Sequence, residues 1–215
     1  MSAILLDLDG VLIDSWQQVE QSLLAAAQEI GFDCRADLPG FRARMGMPLE
    51  SIVIELGWPA ELAQSFRRAA RARDRHVRPF EGVVDMLGAL RALDLRIGVV
   101  TGKDRPRTLG ILETAGLAGL IDSVVTADDA PGKPQPDGLW ECERRLGGGA
   151  ALAFIGDTAI DIAAAENAGR LPVLATWGGG PHLPGRPDLI ELSDPAEAVT
   201  LLADLLQPPM RRAGG

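Results

Sequence analysis

Lysine is nearly missing from this chain. Of 21 basic residues in 215, 19 are arginine and only two, Lys103 and Lys133, are lysine. Acidic residues outnumber basic ones by 30 to 21, a formal net charge of -9. That balance argues against sequence-independent binding to nucleic acid or to an anionic membrane, because both depend on a basic field. There are only two cysteines, Cys34 and Cys142, so no disulfide framework exists and nothing implies an oxidising compartment. No apolar run approaches the roughly 20 residues needed to span a bilayer. No Lys or Arg precedes the apolar opening, as one would in a secretory signal. The expected location is the cytoplasm. Tyrosine is absent altogether while Ala, Gly, Arg and Pro are plentiful, which reads as a coding bias rather than as function. What remains is an ordinary globular balance, 47% hydrophobic and 24% charged, sufficient for one large domain or for a domain carrying a smaller insertion.

Short apolar runs at 4–8, 97–100, 124–125, 152–155 and 173–175 predict buried strands. None shows the polar alternation of a half-exposed strand, which suits a parallel sheet covered on both faces. Between them lie helical patterns, one striped by Met86, Leu87, Leu90 and Leu93, the next by Leu109, Leu112 and Leu117 with Pro106 near its start. Residues 139–146 and 160–168 supply two more. This alternation is the grammar of a doubly wound, Rossmann-like α/β fold. The first strand breaks it, because residues 15–79 read as helix only. Trp16, Val19, Leu23, Ala27 and Ile30 recur at helical spacing before Gly31, and 48–56 and 59–76 read as two further helices. The expected organisation is therefore an α/β core over 1–14 and 80–207, an inserted all-helical cap over 15–79, and a disordered tail at 208–215.

The acidic residues fall at telling places. Asp7 and Asp9 close the first strand, Thr101-Gly102 closes the strand at 97–100, and Asp157 follows the strand at 152–155, with Asp161 four residues on. Lys133 sits in the loop Gly132-Lys133-Pro134. In a parallel sheet all of these gather at the carboxyl ends of strands, where such folds bind ligands. Singly, each acidic residue reads as a helix cap. Jointly they do not, because carboxylates converging on one edge repel by about 4 kcal/mol per close pair at intermediate dielectric. A hard divalent cation, Mg²⁺, together with the Lys133 ammonium would compensate them. Mg²⁺, a lysine, a threonine hydroxyl and backbone N–H groups are what a phosphoryl group needs. One carboxylate can attack phosphorus, and a second two residues away can move the proton.

The set Asp7-Leu8-Asp9-Gly10-Val11, Thr101-Gly102, Lys133-Pro134 and Gly156-Asp157-Thr158 with Asp161 resembles the four motifs of the haloacid dehalogenase-like hydrolases, in order and over nearly the whole chain. The helical insertion resembles the cap of the phosphoglycolate phosphatase-like branch. The resemblance implies Asp7 as nucleophile and metal ligand, and Asp9 as general acid/base that binds metal through its backbone carbonyl. It implies Thr101, Gly102 and Lys133 on the phosphoryl group, and Asp157 and Asp161 in the Mg²⁺ site, Asp161 orienting Lys133 or a metal-bound water. The expected partner is a small phosphorylated metabolite, phosphoglycolate or a similar one, and the expected assembly a monomer or homodimer.

Within that family the residues discriminate. Dehalogenase members lack the second aspartate, which is present here as Asp9. Schiff-base members need a cap lysine, and none lies in 15–79. Hexose-phosphate mutases use basic cap residues, whereas the cap's one histidine, His76, lies far along the insertion. The stretches Val100-Thr101-Gly102-Lys103 with Pro106-Arg107, and Ala175-Thr176-Trp177-Gly178, resemble phosphatases of aminohydroxybenzoate synthesis, which leaves a biosynthetic phosphatase as an alternative beside a sugar-phosphate phosphatase or mutase. A non-catalytic phospho-acceptor or binding module is the alternative from another class, and Asp9 disfavours it. Arg42 and Arg44, before Met45-Gly46-Met47-Pro48, and Lys103 are candidates for choosing the substrate. The arginines between 67 and 78 read as a solvated helix face. Trp16 and Trp58 read as cap core, and His182 as a loop residue.

Overall fold

In the computed structural model, which describes residues 2–180, 183 and 185–207, the chain opens with β1 (Ala3–Leu6), four buried apolar residues. It leaves the sheet through a tight turn and forms β2 (Ile13–Asp14). It then runs through α1 (Trp16–Glu29), α2 (Leu38–Arg42), α3 (Leu49–Glu55) and α4 (Glu61–Arg71). It returns as β3 (Arg78–Pro79), antiparallel to β2. From there α5 (Val83–Ala92), β4 (Arg96–Val100), α6 (Arg105–Thr114), β5 (Ser123–Val125) and α7 (Asp137–Arg145) alternate. The chain ends with β6 (Ala153–Gly156), α8 (Ala159–Asn167), β7 (Leu171–Ala175), β8 (Ile190–Leu192) and α9 (Pro195–Leu206).

Six strands form one parallel sheet in the order β5-β4-β1-β6-β7-β8. The chain moves outward from β1 to β4 and β5, then crosses back to place β6 on the other side of β1. That reversal opens a crevice at the carboxyl ends of β4, β1 and β6. The continuous apolar runs follow from coverage of both faces. Ile4 and Leu6 pack in one cluster with Leu87 and Leu90 of α5, Ile111 of α6 and Leu202 of α9. Ala3 and Leu5 turn to the other face, against Leu139 and Cys142 of α7 and Ala164 of α8.

The insertion has an apolar cluster of its own, drawn from Val19 to Ala70. Trp58 is central to it, stacked on Phe41 at 5.7 Å between centroids and 8° between planes, and edge-on to Phe32. Its indole N–H donates to Asp37 Oδ2 at 3.3 Å, so its polar atom is satisfied.

Several elements differ from the sequence reading. The first strand stops at Leu6, not at residue 8, because Leu8 to Ile13 fold into a turn that buries Leu8 completely. The pattern at 59–76 is not one helix: α4 ends at Arg71, and a separate 3-10 turn, Asp74–His76, follows. The ribbon β2–β3 at the two ends of the insertion and the edge strand β8 were not expected. The expected tail at 208–215, and His182, lie outside the described residues. Among the described residues no helix is long and apolar enough to cross a membrane.

Candidate active site

Three strand ends deliver the polar groups. Asp7 follows β1 directly, and its backbone N–H still donates to Ile155 O at 2.9 Å, which fixes its carboxylate at the sheet edge. Thr101 follows β4, held by an N–H bond of 3.0 Å to Val125 O. Asp157 follows β6, and α8 then starts on a capping box between Thr158 and Asp161. Gly10, at φ +81°, lies so near that a methyl group there would collide with the Asp157 carboxylate. Glycine is required at this turn both by its backbone and by the space available.

Lys133 enters from the loop between β5 and α7. Its Nζ lies 2.7 Å from Asp7 Oδ1 and 2.6 Å from Asp161 Oδ1, and all three side chains are buried. Asp161 thus works twice: Oδ1 accepts from Lys133, while Oδ2 accepts from the Thr158 hydroxyl at 2.6 Å and the Thr158 N–H at 3.1 Å. Burial alone would lower the Lys133 pKa, but the charges of Asp161 and Asp7 outweigh it and hold the ammonium protonated. Burial dominates at Asp7 and raises it to about 7, against the opposing pull of Lys133 and with added repulsion from Asp161 and Asp9. Asp157 is also raised, by burial first and then by Asp161 and Asp7.

Such a site is short of positive charge. Asp7, Asp157 and Asp161 each offer a carboxylate oxygen within 4.8 Å of the others. Asp7 Oδ2 and Asp157 Oδ1 are buried without any hydrogen-bond donor. Buried, unpaired carboxylate oxygens of this kind fit a hard, oxygen-seeking divalent cation.

Asp9 behaves differently. Its Oδ1 accepts a short hydrogen bond from the Ser15 hydroxyl, and its Oδ2 lies 3.2 Å from Lys103 Nζ. Burial would raise its pKa, yet Lys103, Ser15 and the more distant Arg107 together hold it below the usual carboxylate range. Two neighbouring aspartates are therefore pushed in opposite directions by their surroundings.

The insertion closes over these groups. Gly46 approaches until a Cβ there would be 3.2 Å from Lys133 Nζ, and Met45 O accepts from Thr158 Oγ1 at 3.4 Å. A methyl group on Gly102 would collide with the carbonyls of Gly46 and Met47. Gly102→Ala should therefore hold the 45–47 loop off the core. We expect kcat/KM to fall about 100-fold. A variant with wild-type kcat/KM would show that this contact is dispensable.

The other candidates are placed as follows. Thr101 Oγ1 accepts from the Lys103 N–H at 3.3 Å. Arg42 lies over the Trp16 ring at 4.9 Å and reaches Gly179 O at 3.5 Å, lining a small cavity that also touches Asp157. Arg44 turns away into the insertion, bonded to Glu55 at 3.0 Å and to Gly40 O at 2.9 Å. Arg67 pairs with Glu50 and Arg68 with Glu29, on the surface.

A family model described as haloacid dehalogenase-like hydrolase matches residues 4–174. The chain is a haloacid dehalogenase-like hydrolase. It belongs to the phosphoglycolate phosphatase-like branch: a plasmid-borne phosphoglycolate phosphatase of Cupriavidus necator is 31% identical over 206 residues, 88% of this chain and 89% of that one. A probable phosphatase, IndB, of Dickeya dadantii is 30% identical over 187 residues, 81% of each chain. In fold, a haloacid dehalogenase-like hydrolase from Streptococcus pneumoniae superposes with a TM-score of 0.80 at 23% identity, over 94% of this chain and 98% of that one.

In this hydrolase two site residues escaped the sequence reading. Ser15 stands six positions after Asp9, a spacing with no strand or helix period to flag it. Arg107 is buried and bonds Asp74 through two contacts of 2.8 Å, a core-to-insertion pair 33 positions apart. A buried arginine on the exposed-looking start of α6 carries no local signal.

Proposed function

We propose that this hydrolase is a Mg²⁺-dependent phosphatase that cleaves a small organic phosphate monoester through a phosphorylated Asp7. The observation that carries the reading is the buried Asp7–Lys133–Asp161 chain beside an unpaired Asp157. Asp7 is held by Lys133 at Oδ1, and its carboxylate attacks phosphorus in line. That attack forms the Asp7–phosphorus bond and breaks the bond to the leaving oxygen, which takes its proton from Asp9 as the acid. Water then attacks phosphorus and gives its proton to the Asp9 carboxylate, and the bond to Asp7 breaks. Inorganic phosphate leaves, with the Asp7 carboxylate and protonated Asp9 restored. Ser15 and Lys103 favour the charged Asp9 that accepts this proton, and the dianionic phosphoryl group of an arriving substrate favours the protonated form. Thr101, Gly102 and Lys133 hold the phosphoryl oxygens, and Asp161, with both oxygens engaged, positions Lys133. Asp7, Asp157 and the Asp9 carbonyl would hold Mg²⁺, which would supply neutralisation of the charge on those oxygens.

The relatives named phosphoglycolate phosphatase make phosphoglycolate the reference substrate. The likeness to IndB, a probable phosphatase, supports the phosphatase class; the stretches Val100-Thr101-Gly102-Lys103 and Ala175-Thr176-Trp177-Gly178 carry a second reading, a phosphatase dedicated to a biosynthetic route. The cytoplasm is the proposed setting, where the free, buried thiols of Cys34 and Cys142 persist. Turnover of p-nitrophenyl phosphate with Mg²⁺, and again with EDTA, tests the reading. We expect turnover that EDTA abolishes and Mg²⁺ restores; activity unaffected by EDTA, or none on any phosphate ester, would sink it.

A further inference from the structure

We infer that the leaving group this site accepts is compact, uncharged and apolar rather than a carboxylate. The inference rests on the phosphatase reading above, because it concerns the space beside Asp9, the residue that protonates the leaving oxygen.

A cavity of about 60 Å³ opens there, with Asp9, Lys103 and Arg107 on its core side. Its other wall is the insertion: Val19, Phe41, Met47, Leu49, Ile52 and Phe66. Two cations border it, and both are engaged. Lys103 Nζ is 3.2 Å from Asp9 Oδ2. Arg107 is fixed by the fork-to-fork pair with Asp74 and lies 5.3 Å from the Phe66 ring centroid. The arginines expected to meet an anion are elsewhere, Arg44 on Glu55 and Arg42 over Trp16.

A carboxylate on the leaving group would lose its water against apolar walls. To be compensated it would have to draw Arg107 from Asp74, leaving a buried charge behind, or share Lys103 with the Asp9 oxygen that Lys103 already contacts. An alkyl group meets no such cost and gains about fourfold in binding for each methylene buried. Size narrows the class further. The space is small, about 60 Å³, so a short branched alcohol fills it.

Isobutyl phosphate and 2-phosphoglycolate make the test. Their leaving groups have the same branched shape and the same number of heavy atoms, and differ in two methyl groups against two carboxylate oxygens. The carboxylate withdraws electrons, so intrinsic reactivity does not favour the isobutyl ester. With Mg²⁺ we expect kcat/KM for isobutyl phosphate to exceed that for 2-phosphoglycolate by about tenfold or more. Leu49→Lys, at a half-buried wall position outside the catalytic groups, should shift the ratio toward 2-phosphoglycolate by about tenfold, while Leu49→Met should keep the wild-type preference. A wild-type enzyme that prefers 2-phosphoglycolate would overturn the inference and leave the phosphatase reading standing. Hydrolysis of neither ester, nor of p-nitrophenyl phosphate, would overturn both. The wild-type ratio decides the question even if Leu49→Lys does not fold.

Discussion

Replacing Asp7 by asparagine is expected to lower turnover by on the order of 10⁴-fold or more, the scale seen when a nucleophile that works as part of a unit is removed. The same change should not weaken the fold. Asp7 is a buried carboxylate whose ordinary pKa of 3.8 is raised to about 7 by burial, despite Lys133. A carboxyl group whose folded pKa lies above its unfolded one loses stability as pH rises through that interval. In EDTA, the Tm of Asp7→Asn relative to wild type should therefore climb between pH 3.8 and about 7 and level off above. Added Mg²⁺ should stabilise the wild type and have a much smaller effect on the variant. Substantial turnover by Asp7→Asn, or a lower Tm than wild type in EDTA at neutral pH, would contradict this account of Asp7.

Lys133→Met should be the most destabilising single change at the site. It removes the ammonium that touches Asp7 and Asp161 at 2.7 and 2.6 Å and leaves both carboxylates buried. Breaking a buried pair by deleting one partner costs roughly 3–5 kcal/mol, readable by denaturant titration. Activity should vanish as well. The double variant Lys133→Met with Asp161→Asn separates the two effects: stability should partly return, because one of the two stranded charges is gone, while turnover should stay absent. A single variant of wild-type stability would mean that the charge balance rests on other groups.

Legibility in the sequence followed physical cause. The strands buried on both faces showed as unbroken apolar runs, and the acidic residues at their ends stood out against them, which made Asp7, Asp9 and Asp157 visible from residue order alone. The edge strand β8 is only Ile190-Glu191-Leu192, with Glu191 exposed, and three residues carry no period. The ribbon β2–β3 joins two-residue strands from opposite ends of the insertion, so only tertiary pairing defines it. The arginines show the limit of residue type as a guide. Arg44 and Arg107 are chemically alike, but Glu55 claims one within the insertion and Asp74 binds the other across the cleft. Asp74 is free to do so because the helix stops at Arg71, a break that the pattern through His76 concealed. Asp161 reads equally well as helix cap or site residue, and in the fold it is both, through different oxygens.

The central claim is that Asp7 carries the phosphoryl group during turnover. Rapid acid quenching of the Mg²⁺-loaded enzyme with excess substrate, followed by peptide mass mapping, addresses it directly. The account predicts one phosphoryl group, labile to hydroxylamine, on the peptide containing Asp7, longer-lived in Asp9→Asn and absent in Asp7→Asn. Active enzyme that carries no phosphoryl group at Asp7 under these conditions, in the wild type and in Asp9→Asn alike, or that carries it on another residue, would contradict the account.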